Sequence, residues 1–100
     1  MYRFTRSITV KLAADMPGAL QFGNEVTAYL NKTYNMKINV GVELFGRARV
    51  HWSYDVASLD EVSQLNTSLM QDRSYWGIVE KSKHLWVEGS MNDRVVKLIG

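Results

Sequence analysis

The sequence predicts an α+β domain with its elements in the order β-α-β-β-α-β. Three observations carry that prediction. The hydrophobic period switches repeatedly between two and three-to-four residues along the chain. Two central segments match residue for residue as a hairpin. Both helical stretches open on capping or first-turn signals.

The first segment alternates. Tyr2, Phe4, Ile8, Val10 and Leu12 share one parity, and Arg3, Thr5, Ser7, Thr9 and Lys11 share the other. This is the pattern of a half-buried strand. Arg6 breaks the apolar stripe, and either reaches a carboxylate or ligand or snorkels at the sheet edge. Asp15 before Pro17 pairs a cap with a first-turn proline. Ala19, Phe22, Val26, Tyr29 and Leu30 then recur at helical spacing, with Gly23 a weak point, and the helix fades around Asn31 to Asn35.

Ile38, Val40, Val42 and Leu44 alternate with polar residues, as do Ala48, Val50, Trp52 and Tyr54. A loop at Phe45-Gly46-Arg47 sets Leu44 opposite Ala48, Val42 opposite Val50, Val40 opposite Trp52 and Ile38 opposite Tyr54. On the other face Glu43 meets Arg49, Gly41 meets His51 and Asn39 meets Ser53. A slip of one residue would destroy both matches.

Ser58-Leu59-Asp60-Glu61 reads as a capping box, and Leu59, Val62, Leu65 and Leu69 as the buried stripe behind it. Asp72-Arg73-Ser74 interrupts the helix, with Ser74 the expected cap of a second piece containing Tyr75, Ile78, Val79, Leu85 and Trp86. Gly89-Ser90 and Asn92-Asp93 read as turns before a last strand from Val95 to Ile99.

One hundred residues suit a single domain spanning 1–100. Twelve basic and ten acidic residues give a net charge of +2, too small and too mixed for a field that would draw nucleic acid or membrane. The absence of cysteine excludes disulfides, thiolate metal sites and a thiol nucleophile, and suits a cytoplasmic location. No apolar run reaches membrane-spanning length and the N-terminus has no signal-peptide core. The isolated glycines form no phosphate loop, and two histidines without spaced partners form no recognisable metal site.

The element order is that of a ferredoxin-like half-sandwich, with helices on one sheet face and the other face open. Ser58-Leu59-Asp60-Glu61, the helix ending Met70-Gln71-Asp72, Tyr75-Trp76, and the run Leu85-Trp86-Val87-Glu88-Gly89-Ser90 carry a further likeness. From Asp55 onward the chain resembles the dimeric α+β barrel superfamily. That group includes antibiotic-biosynthesis monooxygenases, haem-degrading monooxygenases and stress-response barrel proteins. The resemblance implies a homodimer, joined sheet to sheet, whose open faces line a small-molecule cavity. It also implies one of two functions. One is cofactor-independent oxygenation of an aromatic or polyketide-like substrate; the other is non-catalytic ligand binding or a structural role.

The polar face carries Thr5, Ser7, Thr9, Asn39, Glu43, Arg49, His51 and Ser53, and reads either as a cavity lining or as a solvated sheet face. His51 is the candidate base, with room above it left by Gly41. Asn39, Glu43, Arg49, Ser53 and Ser7 are candidate substrate contacts, although Glu43 and Arg49 also make a plain cross-strand ion pair. Haem-degrading members use a helix histidine as iron ligand, with a tryptophan and a strand asparagine shaping the pocket. The resemblance therefore points to His84 and Trp76. The first strand, however, has Thr5, Ser7 and Thr9 and no asparagine, so no cofactor is predicted. Tyr75, Trp76 and Trp86 read equally as helix-to-sheet packing. RNA-recognition motifs share the strand order but stack bases on open-face aromatics; here Trp52 and Tyr54 fall on the helix-covered parity.

Overall fold

The computed structural model describes residues 1–43 and 45–100. Four strands form one antiparallel sheet: β1 (Tyr2–Thr9), β2 (Asn39–Val42), β3 (Arg49–Val56) and β4 (Asn92–Lys97), in the order β2-β3-β1-β4. Three helices accompany it: α1 (Met16–Thr33), α2 (Leu59–Met70) and α3 (Arg73–Ser82). The second helical stretch is thus in two pieces, as the Asp72 break predicts.

The hairpin forms in the expected register. Asn39 pairs with Ser53, Val40 with Trp52, Gly41 with His51 and Val42 with Val50, and the Glu43 N–H donates to the Arg49 carbonyl at 3.0 Å. The expected Leu44–Ala48 pair lies outside the described residues. Gly46 takes a φ of 95°, which only glycine adopts cheaply in so short a loop. β1 then pairs with β3 along its length, from Tyr2 opposite Val56 to Thr9 opposite Arg49. This places Phe4, Val50, Trp52 and Tyr54 on one buried face under the helices.

Gly23 costs helix propensity, and the structure shows what that secures. A β-carbon there would sit 3.2 Å from Val40 Cγ2, 3.6 Å from Val50 and 3.8 Å from Trp52. The missing side chain lets α1 lie directly on the sheet. At the far end of α1, the Asn31 side-chain amide clasps the backbone of Ile38. Oδ1 accepts from its N–H at 2.8 Å and Nδ2 donates to its carbonyl at 3.2 Å.

Four expectations need correction. Asp15 does not cap with its side chain: a 3-10 turn at Ala13–Asp15 leads into α1, and Pro17 occupies the first turn as expected. Leu59 is 49% exposed and of its stripe only Leu69 is fully buried, because α2 stands off from the sheet over a groove. Asp72, not Ser74, caps α3, accepting from the Tyr75 N–H at 3.0 Å. β4 begins at Asn92, not Val95, because Asp93 is held in the sheet by Arg6 rather than forming a turn. Of the two readings of Arg6 the structure shows the first: it does not snorkel, and its guanidinium makes two bonds to the Asp93 carboxylate, at 2.7 and 2.9 Å. Gly89, with φ of 76°, and Ser90 do form the expected turn before this strand.

Candidate functional site

Strand alternation sorts the polar side chains onto one face. β3 presents Arg49, His51, Ser53 and Asp55 there, β1 presents Arg3, Thr5, Ser7 and Thr9, and β2 presents Asn39 and Gly41. Six of the eight predicted site residues therefore share one surface: Ser7, Asn39, Glu43, Arg49, His51 and Ser53. Ser7 is only 5% exposed, closed in by the strands on both sides.

The centre of this face is a three-residue polar array. His51 Nε2 lies 2.8 Å from Glu43 Oε1. Arg49 Nε lies 2.9 Å from the same oxygen, as an ion pair without a directed hydrogen bond. The sequence reading paired Glu43 with Arg49 across the strands and missed His51. The signal was available: residues two apart on the partner strand are diagonal neighbours on one face. A carboxylate accepts and cannot donate, so neutral His51 carries its proton on Nε2 and keeps its lone pair on Nδ1. Above this array the sheet is open, since a β-carbon on Gly41 would meet nothing within 4 Å.

Desolvation, the largest single influence on Glu43, pushes its carboxyl up. The His51 hydrogen bond and the Arg49 charge together outweigh it, and Glu43 lies below the usual carboxylate range. Asp55 is lowered by its hydrogen bond from Arg3, and Asp72 by that from Tyr34. A carboxyl lowered by folding stabilises the native state above its unfolded value, at about pH 4, and that stability is lost as pH falls through the folded value. Acid unfolding of Glu43→Gln, followed by circular dichroism from pH 5 downward, should therefore be shallower than that of the parent chain. Identical slopes would remove Glu43 from this account.

The open face runs on into a groove of about 920 Å³ at the end of the sheet. Its walls are the 34–37 loop, the end of β3 and the near side of α2, and it takes in Asn39, Ser53, Asp55 and Arg3 from the polar face. Arg3 is bound to Asp55 through two bonds, at 2.8 and 3.2 Å. Tyr34 is fixed in the wall by donating to Asp72 Oδ2 at 2.6 Å, and Tyr29 donates to the same carboxylate at 2.7 Å. That hydrogen bond first, and burial second, push the Tyr34 hydroxyl up to about 12. The stability it lends is present below the ordinary tyrosine value of about 10 and is lost as pH rises through the folded one. Absorbance at 295 nm should show one tyrosine titrating near 12, missing from Tyr34→Phe; an unchanged titration curve would contradict the assignment.

Trp76 and His84 are not brought to this surface. Trp76 is 48% exposed on α3, against the Tyr75 ring at 5.2 Å. His84 is exposed beside a shallow groove of about 240 Å³ between α1 and α3. That volume falls below the ~300–1,000 Å³ of ordinary ligand pockets, and Thr5, Ser7 and Thr9 lie across the sheet from it. These residues do not fit a haem. Tyr75 and Trp86 do pack inward, Trp86 within 5.5 Å of Phe22 and 6.1 Å of Trp52. Trp52 and Tyr54 are buried on the helix side, so β1 and β3 present no aromatic on the open face. Among the described residues, no three His, Asp or Glu side chains cluster to hold a metal ion, and no helix is long and apolar enough to cross a membrane.

No protein-family model and no curated protein matches the chain. Solved structures do. A NIPSNAP family protein of unknown function from Agrobacterium tumefaciens superposes with a TM-score of 0.82 at 17% identity, over 98% of this chain and 87% of that one. An uncharacterized NIPSNAP domain protein from Burkholderia xenovorans gives 0.81 at 11% identity, over 99% and 95%. An antibiotic biosynthesis monooxygenase gives 0.73 at 7% identity, over the whole of both chains. The chain has the ferredoxin-like α+β fold that these structures share. At these identities the likeness establishes the fold alone. Within a fold of this type the open sheet face is the polar one described above, and the helix layer covers the aromatic core.

Proposed function

We propose that this chain is a small-molecule-binding homodimer whose facing sheets enclose a polar cavity, and that His51 is its base in a cofactor-independent oxygenation. The observation that carries the reading is the Glu43–His51 contact beneath the open space at Gly41. It orients the imidazole and leaves Nδ1 free to accept a proton. The substrate class this suits is an electron-rich aromatic ring bearing an activated CH2 group.

The chemistry balances without an external reductant. Nδ1 takes one C–H proton, and the resulting carbanion passes its electrons to dioxygen as a C–O bond forms. His51 returns that proton to the peroxide; the second C–H proton then leaves the carbon as the O–O bond breaks, and the distal oxygen departs with both protons as water. Overall CH2 and O2 become C=O and H2O; the carbon is oxidised and dioxygen reduced. Arg49 stabilises the developing anion, and Asn39 and Ser53 hold the ring substituents.

An oxygen electrode with a hydroxylated anthrone as probe tests this. Uptake should fall about 10²–10⁴-fold in His51→Ala, while light scattering shows a dimer for both proteins. Equal uptake would remove His51 as the base, and a monomer at micromolar concentration would sink the enclosed cavity. Saturable binding of the anthrone with no uptake by the parent chain would favour the second reading, a ligand-binding dimer without catalysis.

A further inference from the structure

We infer that the groove beside α2 is an anion subsite, and that the molecule it receives carries a carboxylate next to a flat apolar body. The inference rests on the open face being the reactive surface, and it adds the charge of the substrate.

The existing partners of the charged groups around the groove decide which of them can meet a ligand. Arg3 is neutralised by Asp55. Glu61 is occupied by the N–H groups of Ala57 and Ser58, at 2.7 and 3.2 Å, as half of the α2 capping box. Lys37 also lines the groove and has no ion-pair partner among the described residues. The formal charges of the four side chains cancel, but three of them are engaged within the chain and the Lys37 ammonium is left to meet a ligand, with Gln64 of α2 as a further hydrogen-bond donor.

The apolar surfaces decide the rest of the ligand. Leu65, Val56 and Met36 line the groove together with the ring of Tyr34, whose hydroxyl is tied to Asp72. A rigid aromatic wall beside aliphatic side chains suits a planar apolar body. The volume of about 920 Å³ lies within the ordinary range for small-molecule sites. Ser53 and Asn39 belong to both the groove and the polar face, and Ser53 is two residues, about 7 Å along the strand, from His51. A carboxylate anchored at Lys37 thus leaves the other end of the molecule on the His51 surface.

The test compares 1-naphthoate with 1-naphthalenemethanol, which share a body and differ in charge. Each is titrated into isotope-labelled parent chain while amide shifts are followed. Naphthoate should shift the amides of 34–37, 53–57 and 61–68 and bind about threefold to fivefold tighter than the alcohol, the range of an exposed ion pair. Lys37→Gln should abolish that preference, and His51→Ala should preserve it. Equal affinity for the two compounds, no binding of either, or a preference surviving in Lys37→Gln would overturn the subsite. Naphthoate shifts confined to residues 39–43 and 49–51 would also overturn it, while leaving the open-face reading intact.

Discussion

Trp52→Ala is expected to destabilise the fold by about 3–5 kcal/mol, the range for removing a buried aromatic. Trp52 is 8% exposed and stands at the centre of the helix-to-sheet contact. Its ring lies 6.0 Å from Phe22 and 6.1 Å from Trp86, both at steep angles, so rings from α1, β3 and the segment after α3 brace one another. Deleting it removes the transfer energy of the indole and leaves a void that α1 cannot fill, because Gly23 has no side chain to move into it. Denaturation should report the loss against a total of roughly 5–15 kcal/mol for a domain of this kind. Trp52→Phe gives the internal control. The indole N–H is buried without a hydrogen-bond partner, and phenylalanine removes that desolvated donor while keeping a ring. It should cost far less than alanine. A cost for Trp52→Phe equal to that for Trp52→Ala would show that the retained ring contributes nothing to the packing.

The second large effect is an asymmetry between two partners in one ion pair. Arg6 occupies a position in the apolar stripe of β1, with its guanidinium 5.8 Å from the Phe4 ring and bound to Asp93 on β4. The Asp93 hydrogen bonds raise its pKa and burial works against them. In Asp93→Ala the guanidinium stays among the rings with no counter-charge, and the expected cost is about 1–3 kcal/mol, set below the fully buried value because the pair is partly solvated. Arg6→Leu leaves Asp93, with a side chain 40% exposed, free to rehydrate, and restores the apolar parity of the strand. Arg6→Leu should therefore be the milder change, within about 1 kcal/mol of the parent. Urea denaturation of both variants checks the order, and a reversed order would place the energetic importance on the carboxylate. Asp93→Ala should also fray β4, seen as faster amide exchange at 92–97.

Local physics made most of this fold legible. The hairpin followed from alternation alone, because its register is over-determined by apolar matches on one face and polar matches on the other. The elements that shifted depend on distant partners. Asn92-Asp93 has the composition of a turn, and only the Arg6 guanidinium on another strand makes it part of β4. Ser74 is a good local cap, but Asp72 is drawn into that role by the hydroxyls of Tyr29 on α1 and Tyr34 just beyond it. The polar face was legible as a set of residues, and its central contact between His51 and Glu43 needed only the diagonal of the same register. The groove was not, because it exists where α2 fails to close on the sheet, and an apolar stripe at helical spacing looks the same whether it is covered or left open.

The Asn31 clasp sets the direction in which this sheet can grow. The paired 39–53, 41–51 and 43–49 rungs turn the N–H and C=O of Ile38 outward, toward the free side of β2. Asn31 supplies both complements from one side-chain amide, imitating the peptide group of a neighbouring strand. One margin of the sheet is thus partly capped from within the chain, at the rung where an incoming strand would start. The opposite margin, β4, is exposed along its whole length. The backbone groups of the two edges are therefore unequally engaged, and the C-terminal edge is the less covered of the two.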